Sequence, residues 1–271
     1  MTAYRLNRLF DARSDRCLAV AVDHGLPGEV DLLEGIEDIG PVIDSLIDAG
    51  PDALLLAPGQ AGLLQRHVGR AKPALVLRVD VPDVYGREQP EQPASLMMED
   101  PVGLAVRLDA ACVVVNLLDI PGRPSLRRTC VENVMALRSA CDRAGMPLMV
   151  EPVPLAPATS GYDVQRDPER LIGLVRQATE LGADVIKADP LPDAAFARLV
   201  RVARVPVLVR GGGRIDEQEL LAITQSVLAA GAAGLVYGRN VIQHPDPVAM
   251  TRTLASLVHG EVAAGAHTGA P

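Results

Sequence analysis

The sequence predicts a single-domain α/β fold, a closed (β/α)8 barrel of the TIM-barrel type, and three observations support it. Short apolar segments alternate with helical patterns eight times along the 271 residues. The apolar segments are continuous, as in parallel strands that are covered on both faces. Eight such units in about 245 residues fit a closed barrel better than an open doubly wound sheet. We therefore expect residues 1–260 to form one barrel.

The predicted strands are short runs of mostly apolar residues, bounded by glycine, proline or polar residues. The first run, residues 17–22, is typical because it is uninterrupted and ends at Asp23-His24-Gly25. The sixth run differs in ending with a lysine, Lys187. In chain order, we expect the strands at residues 17–22, 53–57, 74–80, 112–118, 147–151, 182–189, 205–210 and 234–237.

The segments between the strands show helical spacing or helix-end signals. Residues 36–49 repeat isoleucine and leucine at helical intervals and stop at Gly50-Pro51. Asp167-Pro168 is an N-cap followed by proline, and Gly145 lies just past the end of another helix. We expect helices at residues 36–49, 60–70, 99–108, 124–144, 167–181, 192–203, 216–230 and 246–259, and one short helix within residues 1–16.

Three segments that follow predicted strands lack a clear period: residues 26–35, 81–98 and 152–166. A long irregular segment inside a compact domain is commonly a functional loop. We expect residues 81–98 to be a long loop over the site, and residues 152–166 to be a loop that its prolines keep rigid. The last residues, 261–271, are rich in Gly and Ala and are expected to be a disordered tail.

Composition argues against several functions. A net charge of −8 and a pI of about 5.2 disfavour nucleic acid and anionic membranes as partners. No apolar run reaches about 18 residues, so no membrane-spanning helix is predicted, and the N-terminus lacks a signal-peptide core. The four cysteines show no C-x-x-C spacing, which fits the reducing cytoplasm. Only 2% of residues are aromatic, which fits a small charged substrate held by hydrogen bonds.

In a barrel of this kind, the carboxyl ends of all strands meet at one face, where active sites lie. Polar residues follow nearly every predicted strand of this sequence. Each alone is explained by a solvent-facing strand end, but their convergence on one face predicts a polar site. These residues are Asp23, His24, Arg78, Asp80, Asn116, Asp119, Glu151, Lys187, Asp189, Arg210 and Arg239.

Lys187 is the strongest candidate nucleophile. The chain has 26 Lys and Arg residues, and only Lys72 and Lys187 are lysines. A desolvated lysine loses its proton and attacks a carbonyl to form a Schiff base, whereas arginine stays protonated. The alternative is that Lys187 makes an ordinary ion pair with Asp184, Asp189 or Glu151.

The ends of the last two strands predict a phosphate site. Gly211-Gly212-Gly213 allows backbone N–H groups to approach an anion without obstruction from side chains. One βα unit later, Gly238-Arg239 adds a further backbone approach and a guanidinium. Barrels commonly bind phosphate at this place. The alternative is that these glycines only make tight turns.

The histidines do not suggest a metal site. The sequence has five of them, and they offer no adjacent-strand or i,i+4 ligand set with a carboxylate. Only His24 lies at a predicted strand end. We therefore expect no metal and no cofactor, and the chemistry of a Schiff base is favoured over metal-assisted polarisation of a carbonyl.

The sequence resembles the class I (Schiff-base) aldolases of the archaeal-type fructose-bisphosphate, tagatose-bisphosphate and sulfofructose-phosphate aldolase group. Residues 205–259, with Gly-Gly and Gly238-Arg239-Asn240, look like the closing third of that family. Asp23-His24-Gly25 matches its motif after the first strand, and residues 182–187 match its Schiff-base strand. The resemblance implies a barrel, a Schiff base at Lys187, a phosphorylated sugar substrate and a homo-oligomer.

The family's acid/base residue is not shared throughout. Archaeal-type aldolases carry a tyrosine after the fifth strand, where this chain has Glu151. A glutamate there is similar to the tagatose-bisphosphate and sulfofructose-phosphate aldolases, although those have a lysine where this chain has Asn116. Lys187, Glu151 and Asp23 are thus the expected catalytic residues, with Glu151 and Asp23 both open as the main acid/base. The expected substrate- and phosphate-binding residues are His24, Arg78, Asn116, Gly211, Gly212, Gly213, Gly238 and Arg239.

The expected activity is that of a class I aldolase. It would cleave or form a C–C bond of a phosphorylated ketose, with dihydroxyacetone phosphate as the ketone half. A transaldolase-like synthase or a thiolase that uses the same lysine is an alternative. A barrel that binds a phosphorylated ligand without catalysis is another, against which the presence of Lys187, Glu151 and Asp23 argues.

Overall fold

The computed structural model of the protein describes residues 3–69 and 71–260. Within these ranges, eight parallel strands form a closed barrel with helices between them, so the predicted (β/α)8 architecture is confirmed. None of the helices in the described ranges is long and apolar enough to span a bilayer. The tail expected at residues 261–271 lies outside the described residues.

The barrel contains eight of the eleven strands in the described part of the chain. Its strands follow one another in the order β1-β2-β3-β6-β7-β9-β10-β11, and parallel pairing of β1 with β11 closes the ring. The strands are β1 (Cys17–Ala21), β2 (Ala53–Leu56), β3 (Ala74–Arg78), β4 (Asp80–Pro82), β5 (Ser95–Met97), β6 (Cys112–Asp119), β7 (Leu148–Pro157), β8 (Tyr162–Val164), β9 (Val185–Ala188), β10 (Val207–Arg210) and β11 (Gly234–Tyr237).

Most helices lie where the sequence signals predict, but the helix expected at residues 60–70 spans Pro58–Gln65, and the short helix Arg239–Ile242 was not predicted. Asp167 accepts hydrogen bonds from the amides of Glu169 and Arg170, and Gly50 and Gly145 end their helices in left-handed conformation. A single 3₁₀ turn covers Val30–Leu32. The helices are α1 (Ala3–Leu6), α2 (Ile39–Ala49), α3 (Pro58–Gln65), α4 (Pro101–Arg107), α5 (Pro124–Ala144), α6 (Pro168–Glu180), α7 (Asp193–Ala203), α8 (Glu217–Ala229), α9 (Arg239–Ile242) and α10 (Pro247–His259).

Two apolar layers surround the strands. Alternate strand residues such as Leu18 and Val20 pack outward against the helices in one large cluster. The residues between them, such as Ala19, join a second cluster that fills the barrel interior. Every residue of β1 is therefore buried, which explains its continuous apolar run. The four cysteines are buried and free, as expected for small apolar groups.

Residues 81–98 contain two short strands at their ends that were not predicted, whereas residues 83–94 between them form the expected long loop. β3 ends at Arg78, and β4 then pairs with β5 as a small antiparallel sheet. The register places Asp80 opposite Met97 and Pro82 opposite Ser95. Three-residue strands are too short to show a polarity period, which is why the sequence pattern did not reveal them.

The prediction of a rigid loop at residues 152–166 is wrong. β7 continues through its prolines to Pro157 and turns back into β8. Pro152 and Pro154 are two residues apart, so their missing N–H groups face the same edge of the strand. Pairing with β9 ends at Val150, so nothing on that edge requires the N–H of Pro152. Proline is tolerated for this reason, and β7 stays paired to β6 on its other edge.

Candidate active site

A cavity of about 400 Å³ opens at the carboxyl ends of the barrel strands. The eleven residues expected to be catalytic or to bind substrate all line it, although they come from seven different strands or strand ends. Lys187 lies in β9 and Glu151 in β7, whereas Arg78 ends β3. Because the strands are parallel, residues that are distant in sequence meet at this end.

Lys187 and Glu151 are in direct contact. Lys187 Nζ lies 3.0 Å from Glu151 Oε2, and both side chains are buried. The same carboxylate oxygen accepts a hydrogen bond from Arg78 Nη2 at 2.6 Å. The partner of Lys187 is thus one of the three carboxylates considered from sequence. The other two are engaged elsewhere: Asp184 with Arg138 and Asp189 with Arg210.

Arg78 holds three carboxylates in place. Besides Glu151, its Nε donates to Asp23 Oδ2 at 2.9 Å and its Nη1 to Asp80 Oδ1 at 3.4 Å. Only about 5% of Arg78 is exposed. Each of its three side-chain nitrogens therefore has a protein acceptor. This geometry favours a role in orienting Asp23 and Glu151, rather than the binding of phosphate expected from its place at a strand end.

Asp80 accepts hydrogen bonds from two neighbouring residues of the site and holds them in place. Its Oδ2 accepts hydrogen bonds from Ser95 Oγ at 2.7 Å and from the backbone and side-chain nitrogens of Asn116 at 3.1 and 2.9 Å. The side chain of Asn116 is thereby fixed with its Oδ1 directed to the Tyr85 hydroxyl, 3.4 Å away. Asn116 lines the cavity as predicted, as a fixed amide that links Asp80 to Tyr85.

Arg210, at the end of β10, adds another cation beside Glu151. Its Nε donates a hydrogen bond to Asp189 Oδ1 at 3.1 Å, and its Nη2 lies 2.9 Å from Asp189 Oδ2 in an ion pair. Its Nη1 lies 3.5 Å from Glu151 Oε1. Glu151 consequently has positive charges near both of its oxygens.

These charges oppose the effects of burial on the two central groups. Burial raises the pKa of Glu151, but the charges of Lys187, Arg78 and Arg210 outweigh it and hold that pKa well below its usual range. Burial lowers the pKa of Lys187, and the neighbouring Arg78 and Arg210 add to this against the opposing carboxylates Glu151 and Asp23. The site thus contains an ionised carboxylate beside a lysine that loses its proton more easily than usual.

Asp23 and His24 follow β1 directly. Burial would raise the pKa of Asp23, but Arg78 and Lys187 lower it overall. Burial lowers the pKa of His24, which favours a neutral ring. A Cβ on Gly238 would overlap the His24 ring, so the glycine after β11 is required for close packing of that ring. The Nδ1 atom of His24 is buried without a hydrogen-bond partner in the described part of the chain.

The glycine loop after β10 is held in shape by Asn240. Asn240 Nδ2 donates to the carbonyls of Gly211 and Gly213, both at 3.0 Å, and its Oδ1 accepts from the Ile215 amide at 3.0 Å. Gly212 has φ of +64°, which side chains rarely adopt. The amides of Gly212 and Gly213 donate to no acceptor within the described ranges. They are therefore free to bind an anion.

Two arginines without a carboxylate partner in the described ranges flank this loop. Arg239 Nη2 would lie 4.0 Å from a Cβ built on Gly213, and Arg166 Nη2 would lie 3.2 Å from one built on Gly212. Burial, and then the nearby charge of Arg210, lowers the pKa of Arg239. Two guanidiniums and free backbone amides make this corner the most favourable place in the cavity for an anion.

Three residues of the site were missed from the sequence, namely Tyr85, Tyr162 and Arg166. The tyrosines line the cavity, whereas Arg166 lies over Gly212. All three belong to the segments at 81–98 and 152–166, whose strands were not recognised. Asn240 was noted only as part of Gly-Arg-Asn, and nothing in that motif indicates its contact with the glycine loop. Among residues 3–69 and 71–260, no group of three His, Cys, Asp or Glu side chains is placed to hold a metal ion.

Comparison with known proteins supports the family suggested by the motifs. The model of the DeoC/LacD family aldolases matches residues 17–244. The 2-amino-4,5-dihydroxy-6-oxo-7-(phosphonooxy)heptanoate synthase of Streptomyces griseus is 32% identical, over 97% of this chain and 92% of that protein. The 3-hydroxy-5-phosphonooxypentane-2,4-dione thiolase of Photorhabdus laumondii is 30% identical, over 94% of this chain and 81% of that protein.

A solved structure of similar fold supports the same family relationship. It is an archaeal fructose-1,6-bisphosphate aldolase whose catalytic lysine is covalently bound to the carbinolamine intermediate of the substrate. This chain is 28% identical to it, with a TM-score of 0.79 over 96% of this chain and 100% of that one. The family match, the relatives of 30% identity or more and the shared barrel agree, and the chain therefore belongs to the DeoC/LacD family of aldolases.

Proposed function

We propose that the protein is a class I aldolase that cleaves or forms a C–C bond of a phosphorylated ketose through a Schiff base on Lys187. The observation that carries this proposal is the buried contact of Lys187 with Glu151, in a cavity that also contains a free anion-binding corner. Dihydroxyacetone phosphate is the ketone half that fits the glycine loop and Arg239. The same proposal includes a homo-oligomeric enzyme in the cytoplasm.

The first step requires an uncharged Lys187 amine. Burial and the charges of Arg78 and Arg210 favour loss of its proton, and Glu151, 3.0 Å away, is placed to accept it. The amine then attacks the ketone carbon to give a carbinolamine. Loss of water from this intermediate, with a proton supplied to the departing hydroxyl, gives the iminium ion.

Glu151 is the better-placed of the two candidate acid/base residues. In the carbinolamine the nitrogen is uncharged, which removes the charge that contributes most to lowering the pKa of Glu151. Glu151 then carries a proton more readily than in the free enzyme. Asp23 contacts Arg78 rather than the lysine, and it is suited to holding a substrate hydroxyl.

The iminium ion withdraws electrons from the C3–C4 bond of the substrate and thereby promotes its cleavage. A carboxylate, Glu151 in this proposal, removes the proton of the C4 hydroxyl, the C3–C4 bond breaks, and its electrons form an enamine on the dihydroxyacetone-phosphate half. The aldehyde leaves, the enamine is protonated at C3, and water releases the ketone from Lys187. Binding of the phosphate by Arg239 and the glycine amides orients the carbonyl against Lys187.

A synthase or thiolase reaction on the same lysine is the second candidate. It is favoured by the names of the relatives at 32% and 30% identity. Both those names include a phosphorylated compound, so the anion-binding corner serves this candidate equally well. A barrel that only binds a ligand is disfavoured, because a buried lysine with a lowered pKa is a costly feature for mere binding.

The test is reductive trapping with dihydroxyacetone phosphate and borohydride, followed by peptide mass mapping. The expected result is one covalent adduct on Lys187. Because the chain has only two lysines, Lys72→Arg is a matched control that keeps the adduct, whereas Lys187→Met abolishes it. An adduct on Lys72 alone, or full activity of Lys187→Met, refutes the Schiff base. Release of a triose phosphate from a ketose phosphate separates the aldolase from the thiolase.

A further inference from the structure

The wall of the cavity opposite the anion-binding corner differs from it in chemistry. The corner lies beyond the ends of β10 and β11, the seventh and eighth strands of the ring. The opposite wall lies beyond the ends of the third and fourth strands, β3 and β6, and the β7–β8 hairpin completes it. The residues there are Pro82, Tyr85, Tyr162, Asp163 and Val164. Their side chains comprise apolar groups, two hydroxyls and the exposed carboxylate of Asp163. None of them is a cation, and Arg166, beyond the hairpin, is directed to Gly212 at the corner.

The arginines elsewhere in the cavity do not supply a free positive charge for a phosphate bound at this wall. Arg78 is shared by Glu151 and two aspartates, and Arg210 forms an ion pair with Asp189. Arg239, the one cavity-lining arginine in the described ranges that has no carboxylate partner, lies at the glycine loop. A second phosphate, placed against the far wall, would therefore lose its hydration without meeting a counter-charge on that wall.

This wall is fixed by contacts between the loops that form it. The backbones of Gly86 and Gly161 touch, since a Cβ on Gly161 would overlap the Gly86 carbonyl. Ser160 Oγ donates to the Arg87 carbonyl at 2.7 Å, and Arg87 pairs with Asp31 of the loop after β1. The residues of the wall are thereby held in a defined arrangement before any ligand arrives.

The two tyrosine hydroxyls are the polar groups that the wall offers to a ligand. Tyr85 OH donates weakly to Asn116 Oδ1 at 3.4 Å, and its lone pairs remain available. Tyr162 OH is buried without a hydrogen-bond partner in the described ranges. A buried hydroxyl without a partner is unfavourable, and a hydroxyl of a bound ligand would satisfy it.

We infer that the half of the substrate that leaves as an aldehyde is uncharged and hydroxylated, so that the preferred substrate is a ketose with a single phosphate on its ketone half. Tyr85 and Tyr162 bind the hydroxyls of the aldehyde half. This inference rests on the proposed function for the orientation of the substrate. Cleavage between C3 and C4 then gives dihydroxyacetone phosphate and a neutral hydroxyaldehyde.

The test measures binding without requiring turnover. Calorimetric titration of the Lys187→Met variant compares fructose 1-phosphate with fructose 1,6-bisphosphate. We expect the bisphosphate to bind at least about tenfold more weakly, because its second phosphate is desolvated without a cation. Adding Tyr85→Phe or Tyr162→Phe is expected to weaken the monophosphate by about three- to tenfold, the effect of one lost hydrogen bond.

Two controls separate binding by the wall from structural damage. Tyr4→Phe changes an exposed tyrosine that is remote in sequence from the cavity loops and is expected to have no effect. Dihydroxyacetone phosphate, which lacks the aldehyde half, should bind equally to the variants with and without the tyrosine hydroxyls. A general loss of structure would instead weaken both ligands.

Equal or tighter binding of the bisphosphate overturns the inference, as does the absence of binding of either sugar. Unchanged binding of the monophosphate after loss of both hydroxyls also overturns it. Trapping of wild-type Lys187 by dihydroxyacetone phosphate is scored separately. If trapping succeeds and the bisphosphate is preferred, only the present inference fails, whereas failure of trapping refutes the proposed Schiff base.

Discussion

Lys187 Nζ and Glu151 Oε2 are 3.0 Å apart in the cavity, and neither residue is more than 5% exposed. The protonated amine of the free enzyme and the iminium of the proposed intermediate each carry one positive charge at this nitrogen. The same carboxylate therefore stabilises both species, and the surroundings need not reorganise when the covalent bond forms.

Replacement of Glu151 by Gln is expected to shift the titration of Lys187. The charge of Glu151 raises the pKa of Lys187 against the lowering effect of burial, so its removal lowers that pKa further. The midpoint of the pH dependence of cyanoborohydride trapping with dihydroxyacetone phosphate should move to lower pH. Cleavage should fall by about 10²- to 10⁴-fold if Glu151 transfers the proton.

The control for this experiment is Glu99→Gln, which changes an exposed glutamate outside the cavity lining. Its trapping midpoint and its cleavage rate should match those of the unmodified protein. A midpoint that stays constant or rises in Glu151→Gln would contradict the assigned electrostatic role. Normal cleavage with a shifted midpoint would assign the proton transfer to Asp23.

Loss of either free guanidinium at the glycine loop is expected to weaken the binding of anions. Arg239→Gln and Arg166→Gln each remove one charge beside Gly213 or Gly212. Inhibition by inorganic phosphate should become about 3- to 30-fold weaker in each variant, since a charge-assisted hydrogen bond contributes about 1.5–3 kcal/mol when buried and less when exposed. The effect should be larger for the half-buried Arg239 than for the exposed Arg166.

Arg143→Gln is the matched control, because Arg143 lies on α5 and contacts Ser139 on the same helix. Its inhibition constant for phosphate should not change. If the Arg166 variant behaves like this control, its guanidinium contacts Gly212 without contributing to anion binding. If the Arg239 variant does so, the anion site does not lie at the glycine loop.

Acidification is expected to destabilise the fold. Glu151 and Asp23 have lower pKa values in the folded protein than in the unfolded chain. Between the unfolded values of about 4 and the lower folded values, the unfolded chain binds more protons, so the free energy of unfolding falls as pH falls. This contribution is fully present above about pH 5 and is lost below it. Urea midpoints measured from pH 3 to pH 7 test the prediction.

In Glu151→Gln the slope of stability against pH should be shallower in the acid range, because one of the titrating carboxylates is absent. At neutral pH this variant should also be less stable, since Arg78 and Lys187 lose a buried partner. Glu99→Gln should keep the parent slope. Equal slopes in all three proteins would show that Glu151 has no linked titration.

A Cβ at Gly234 is expected to disturb closure of the barrel. Gly234 begins β11 with φ of +143°, and an added Cβ would overlap the Cys17 carbonyl across the β1–β11 pair. Gly234→Ala should lower the free energy of unfolding by about 2 kcal/mol or more through overpacking and backbone strain. Gly173→Ala, at an exposed helical position with open space, should instead raise it by about 0.5–1 kcal/mol. Urea unfolding of both variants measures the contrast.

The barrel was predictable because burial on both faces leaves a direct pattern in the sequence. Residues 17–22 are a continuous apolar run for this reason, and residues 112–118 are apolar except for Asn116; the structure places β1 and β6 there. The candidate site residues were predictable from the same topology, since a residue at the carboxyl end of any barrel strand reaches the common cavity. Asp23, Glu151 and Lys187 meet because of the barrel topology, and their spacing in the sequence carries no signal of this contact.

The contacts within the site were less predictable. Three carboxylates were equally plausible partners for Lys187, and only the register of β7 beside β9 selects Glu151. Arg78 was expected to meet substrate, but its position between Asp23 and Glu151 depends on strands that are distant in sequence. Tyr85 lies in the loop between β4 and β5, and Tyr162 lies in β8. The formation of these short antiparallel strands depends on tertiary contacts rather than on a polarity pattern.

The contact between the backbones of Gly86 and Gly161 makes two loops interdependent. A side chain at Gly161, or an insertion in either loop, would displace its neighbour as well as itself. Diversification of substrate choice on this barrel therefore requires paired changes, with the segments after β3 and β7 exchanged as a matched set. To transfer substrate selectivity to a relative, both segments should be grafted together onto its barrel, without changes to the eight strands or the lysine.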